Sequence, residues 1–175
     1  GSRSGVLISE DNKDIFPQNT ATVRPTELPC DIHHATIQGE KWMILVGLLD
    51  GKPYEVMGGL SNLIEIPQKH TEGLLIKHPR KTMNSVYDFT VGANGDEIRV
   101  RDIVKVFDNP NNSAFTRLIS LSLRHGANIQ YAVEQMQKDR DSDMFSFAKC
   151  VARVLKSYIK DGTEATDKEC PSCGV

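Results

Sequence analysis

The feature that most constrains the fold is a change of hydrophobic period near residue 107. Upstream, apolar residues come in short runs divided by turn signals; downstream, they recur about every 3.6 residues. The first regime reads as strands over 31–37, 42–49, 54–57, 74–78, 85–90 and 97–107. Asp50-Gly51 and Ala93-Asn94-Gly95 fall between such runs, and Asp-Gly and Asn-Gly tolerate the positive φ of a tight hairpin turn. The first half therefore reads as an antiparallel meander. Residues 61–71, broken by Pro67 and followed by Gly73, read as a weakly ordered excursion with one short turn.

In the second regime, Asn111-Asn112-Ser113 is placed to cap a helix that carries Phe115, Leu118, Ile119 and Leu123 on one face and stops at Gly126. A second helix is expected from 128 to about 138, with Ile129, Ala132, Val133 and Met136 inward. A third should start after Asp141-Ser142-Asp143, align Met144, Ala148, Val151, Leu155 and Tyr158, and end near Gly162. Strands first and helices after make an α+β fold, an antiparallel sheet with about three helices packed on one face. The division is a flexible linker over 1–27, the α+β domain over 28–162 and a tail over 163–175. Gly1-Ser2, with no initiator Met, reads as an expression scar, and the chain as a piece of a longer protein.

The chain has 175 residues, 39% of them hydrophobic, enough for one domain with a real core. A net charge of −2 exerts no global pull on nucleic acid or anionic membrane, so neither is expected as a partner, and any phosphate recognition must be local. No apolar run approaches the roughly 20 residues that span a bilayer, nor is there a signal-peptide apolar region, so a cytoplasmic location is expected.

No Gly-rich phosphate loop, His-Glu-x-x-His or Gly-x-Ser-x-Gly occurs, so no self-contained active site is visible. His33, His34, His70, His78 and His125 include no pair at helical ligand spacing, and neighbours His33 and His34 must point to opposite faces of a strand. They read as structural. The run Lys77-His78-Pro79-Arg80-Lys81 is a solvated loop or a contact for a phosphate or an acidic partner. Trp42 and Tyr54 read as a cross-strand core pair rather than a base-stacking platform.

Of the four cysteines, Cys150 lies among apolar helix positions and reads as core, while Cys170 and Cys173 form a Cys-Pro-Ser-Cys-Gly motif close to the terminus. Two thiols at this spacing form a redox pair or half of a zinc knuckle. Zinc needs four ligands and the motif offers two, so metal is the alternative and an electron relay the first reading. Lys168 places a positive charge nearby.

Several of these segments in order resemble the C-terminal accessory domain of adenosylcobalamin-dependent (class II) ribonucleotide reductases. They are Arg24-Pro25 with Leu28-Pro29; Asp50-Gly51-Lys52-Pro53-Tyr54-Glu55-Val56; Ala114-Phe115 to Leu123 and Gly126; Ile129 to Lys138; and the terminal Cys-Pro-Ser-Cys-Gly. The resemblance implies a parent enzyme that makes deoxyribonucleotides by radical chemistry, with adenosylcobalamin bound in a catalytic core outside this chain. It implies that Cys170 and Cys173 re-reduce the active-site disulfide and are themselves reduced by thioredoxin or a similar protein. Some relatives carry two Cys-x-x-Cys pairs in a zinc-ribbon-like tail, whereas this sequence shows one. The eight-residue leash before the pair reaches roughly 28 Å at ~3.5 Å per residue, so residues 3–27 are expected to act as a longer linker that moves the module.

Overall fold

A computed structural model describes residues 20–138 and 147–159. Six strands come first: β1 (Glu27–Ile37), β2 (Glu40–Leu49), β3 (Lys52–Leu60), β4 (Glu72–His78), β5 (Val86–Val91) and β6 (Ile98–Val100). Among the described residues four helices follow: α1 (Ile103–Phe107), α2 (Pro110–Arg124), α3 (Ile129–Gln137) and α4 (Phe147–Lys156). The α+β architecture expected from the change of period is the one observed. The sheet is antiparallel throughout, in the order β3-β2-β1-β4-β5-β6. Gln38-Gly39 and Asp50-Gly51 close the first two hairpins with positive φ at both positions, 50° and 80°, then 51° and 76°. That pair of angles is a turn whose twist matches its flanking strands.

Alternation along the strands divides the core in two. Cys30, Ile32, Met43, Leu45, Met57, Leu75, Phe89 and Val91 point to one face, joined by Ile64 and Ile66 from the β3–β4 connection and by Ile103 and Phe107 of α1. Ile44, Val46 and Val56 point the other way, under Leu123, Val133, Phe147, Val151 and Leu155 of the three longer helices. Helix α4 is the most two-sided of these. It buries Phe147, Cys150, Val151, Ala152, Val154 and Leu155 while Arg153 and Lys156 lie in its last turn, where cations favour the helix dipole.

The sheet is strongly curled. Four strand spacings of about 4.8 Å would separate β3 from β5 by roughly 19 Å in a flat sheet. Yet the Arg24 guanidinium donates to both carboxylate oxygens of Glu55 on β3, at 2.9 and 2.7 Å, and lies 5.4 Å from the ring centre of Tyr87 on β5. It also reaches the carbonyl of Leu75 on β4. Helix α1 likewise touches both β3 and β5. The inner face thus forms a half-open barrel, with Arg24 and α1 bridging its seam. The fold takes in residues upstream of Leu28: besides Arg24, the Tyr54 hydroxyl donates to the Thr22 carbonyl at 2.7 Å.

Four expectations are corrected. The strand expected over 97–107 ends at Val100; Asp102 turns left-handed (φ 51°), its N–H donates to Asp88 Oδ1 at 3.0 Å, and α1 begins. Ile103 and Phe107 are four residues apart, so they share a face in a strand and in a helix alike, and the pattern could not separate the two. The cap of α2 is Asn109, whose side chain accepts from the Asn112 N–H at 3.1 Å, with Pro110 in the first turn. Leu118 is 64% exposed rather than inward, because α2 turns Thr116 and Ser120 towards β3. Trp42 and Tyr54 do not pair: Trp42 opposes Leu60 and packs on Phe147 at 5.5 Å between ring centres. The start expected for the third helix, at 141–143, lies outside the described residues.

Candidate functional site

A cleft with a volume of about 360 Å³ sits in the seam of the half-barrel. Its floor is edge strand β3 from Glu55 to Gly58, and its sides are α1, α2 and the segment 80–87 leading into β5. Helix α2 contributes Ser113, Thr116, Arg117, Ser120 and Arg124, a stripe at three- and four-residue spacing along one face. That stripe is fixed by a side-chain graft onto the strand edge. Ser120 Oγ accepts the Val56 N–H at 2.9 Å and donates to the Thr116 carbonyl at 2.7 Å. An edge strand leaves such N–H groups unpaired, and here a buried serine occupies one of them.

Glycines let both helical layers close on β3. A Cβ on Gly59 would come within 2.7 and 2.9 Å of Phe107 Cγ and Cβ, and one on Gly58 within 2.6 Å of Ile44 Cδ1 and 3.2 Å of Phe147 Cε2. Aromatic rings therefore pack on adjacent residues from opposite faces, Phe107 bringing α1 onto the cleft side of β3 and Phe147 bringing α4 onto the other.

The cleft is cationic although the chain is not. Arg80, Lys105, Arg117 and Arg124 line it, and among the described residues none of them forms an ion pair. The Nε of Arg124 is buried and, among the described residues, has no hydrogen-bond partner. Two carboxylates also line it: Glu55, matched by Arg24 with both side chains only 5% and 4% exposed, and Asp102. Met57, Met83, Val86, Tyr87, Val104 and Phe107 provide apolar surface. Burial pushes the Tyr87 phenol up, with Glu55 adding to the shift and Arg24 and Arg124 opposing it.

A second polar cluster joins α4's C-terminal turn to β1. The Tyr158 hydroxyl donates to Asp31 Oδ2 at 2.5 Å, and His33 Nε2 lies 2.7 Å from the Tyr158 hydroxyl oxygen. Since the only hydroxyl proton goes to Asp31, His33 must present its Nε2–H. Burial pushes the His33 imidazole below its ordinary value, against the opposing pull of Asp31, with His34 lowering it further. Burial and the Asp31 contact push the Tyr158 phenol up.

Of the residues singled out in the sequence, Cys170 and Cys173 lie outside the described residues. Cys30 and Cys150 are both buried and free. Burial, helped by Asp31 and Glu55, pushes the Cys30 thiol up to about 12, and burial likewise raises Cys150. His78 pairs with Asp88 at 3.0 Å, and the next basic residue of its run, Arg80, lines the cleft. Among the described residues no cluster of three or more His, Cys, Asp or Glu could hold a metal ion, and no helix is long and apolar enough to cross a membrane. Lys105, Arg117 and Arg124 were missed. The available signal on α2 was the run of Ser, Thr and Arg at three- and four-residue spacing, Ser113, Thr116, Arg117, Ser120 and Arg124.

A family model described as "NrdJ homologue C-terminal domain" matches residues 28–160. No curated protein and no solved structure matches the chain.

Proposed function

Because the chain belongs to the family of NrdJ homologue C-terminal domains, related to class II ribonucleotide reductases, we propose that it serves a parent reductase as a redox relay. The observation that carries this reading is the Cys-Pro-Ser-Cys motif ten residues beyond the end of the family match, at Cys170 and Cys173. The state of the other thiols supports it. Cys30 and Cys150 are buried with raised pKa values, which suppresses the thiolate needed for exchange, so the exchange falls to the terminal pair.

In the proposed cycle each ribonucleotide reduced leaves a disulfide in the catalytic core. A thiolate of Cys170 or Cys173 attacks one of its sulfurs and expels the other as a thiolate; the remaining cysteine then attacks the mixed disulfide. The core dithiol is restored and a Cys170–Cys173 disulfide is left, two electrons having moved. Thioredoxin, a dithiol reductant, reopens it by the same exchange. Adenosylcobalamin bound in that core would supply the initiating radical, and no residue of this chain is assigned to it. The partners are thus the catalytic core and thioredoxin, in the cytoplasm, where cysteines are kept reduced.

The test uses the parent enzyme with Cys170→Ser and Cys173→Ser. With thioredoxin and its reductase, steady-state turnover should fall to near zero, while a single turnover of pre-reduced enzyme is spared and a small dithiol restores multiple turnover. Unimpaired steady-state turnover with thioredoxin would refute the relay. So would one equivalent of zinc bound to the purified chain and lost in either variant, which would make the pair half of a metal site in a docking module.

A further inference from the structure

We propose that the seam cleft is a binding site for a small organic phosphate, a function independent of the cysteine pair. Four cations from three separate segments converge on it: Arg80 before β5, Lys105 on α1, and Arg117 and Arg124 on α2. Glu55 is neutralised by Arg24, so Asp102 is the one lining carboxylate left to oppose them. Four cations gathered around one concavity, in a chain of net charge −2, make a local positive field that suits an anion.

The Arg124 Nε strengthens the assignment. A buried donor left without an acceptor is costly, more so on a charged group. An oxyanion in the cleft would give it one, and the guanidinium fork suits phosphate geometry. Ser85, Asn84, Asn109 and Ser113 add neutral hydrogen-bonding groups.

The apolar walls argue for an organic body behind the phosphate. Tyr87, Val104 and Phe107 would leave much of the cleft unwetted by a bare inorganic ion, and about 360 Å³ lies in the range that accepts small-molecule ligands. The space is bordered by β3, α1, α2 and segment 80–87, a concavity of a size that suits a compact ligand.

The test is calorimetric titration of the 175-residue chain with ADP, inorganic pyrophosphate and adenosine at about 50 mM salt. ADP and pyrophosphate should bind with Kd below about 1 mM, ADP the tighter, and adenosine should not bind measurably. Arg117→Ala and Arg124→Met should each weaken ADP tenfold or more. Arg117 is exposed, so its variant will fold even if the Arg124 variant does not. Lys69→Ala, which removes an exposed cation that does not line the cleft, should leave Kd unchanged. The proposal is overturned if neither phosphate binds at 1 mM, if adenosine binds as well as ADP, or if Arg117→Ala has no more effect than Lys69→Ala.

Discussion

Removing the Arg24 side chain should cost more than any surface substitution, because it would strand a carboxylate inside the half-barrel. Arg24 makes five hydrogen bonds: two to Glu55, and one each to the carbonyls of Pro25, Thr26 and Leu75. The pair is only 4% and 5% exposed. Arg24→Ala leaves Glu55 with neither its counter-charge nor water. Breaking a buried ion pair on one side costs about 3–5 kcal/mol, a large part of the 5–15 kcal/mol that typically holds a domain together. At ~2–4 °C per kcal/mol for a chain of this size, the melting temperature should fall by roughly 6–20 °C.

The control is the double variant Arg24→Met, Glu55→Leu, which removes both charges and fills the space with apolar atoms. It should be more stable than Arg24→Ala alone, since the loss in the single variant is mostly the uncompensated Glu55. Urea unfolding at pH 7 of the wild type, Arg24→Met, Glu55→Leu and the double variant gives the coupling directly. A single-variant loss under 1 kcal/mol, or strict additivity of the two changes, would show that Arg24 does not close the seam.

Other consequences can be checked more simply. Gly59→Ala drives a methyl group into the Phe107 ring and should destabilise by about 1–3 kcal/mol, as overpacking does; Phe107→Leu added to it should recover part of the loss, and no recovery in urea unfolding would place the strain elsewhere. Since the folded pKa of His33 lies below its ordinary 6.5, the unfolded chain takes up a proton first as pH falls, so His33 lowers stability progressively below about pH 6.5. Melting temperatures at pH 7.5 and 5.5 should therefore differ less in His33→Gln than in the wild type; an identical difference would sink the idea. Alkylation of the native chain at pH 8 should modify Cys170 and Cys173 quickly and Cys30 and Cys150 only on unfolding, and four equal rates would contradict the burial of the core thiols.

The sheet was legible because its determinants are local. Asp50-Gly51 set a turn beside the apolar run 42–49, and the pleat of β2 then sends Met43 and Leu45 to one face and Ile44 and Val46 to the other. Helix α1 was not, since Ile103 and Phe107 satisfy both periods and the decision is made by Asp88, which ties down the Asp102 amide from another strand. Leu118 was misplaced for a related reason: on α2 the hydrophobic count favoured one face, while a buried hydrogen bond from Val56 to Ser120 rotated the helix towards β3. The cleft was the least legible, because Arg80, Lys105, Arg117 and Arg124 meet only once the sheet has curled. Arg80 alone stood out, as part of a basic run.

Fold and cleft follow from one geometric problem. Six strands curled this far leave a seam that cannot be closed by pairing β3 with β5 or β6, and something must cover the exposed edge and inner face. Arg24 spans the seam with charge, Phe107 closes it with a ring set on Gly59, and Ser120 occupies an edge N–H. These devices hold α1 and α2 against β3, and the space they leave between them is the cationic cleft. A substitution that loosens the seam should therefore weaken ligand binding and stability together, whereas Arg117→Ala, on the exposed rim, should weaken binding alone. That separation distinguishes a site built into the closure of the barrel from charges that merely decorate its surface.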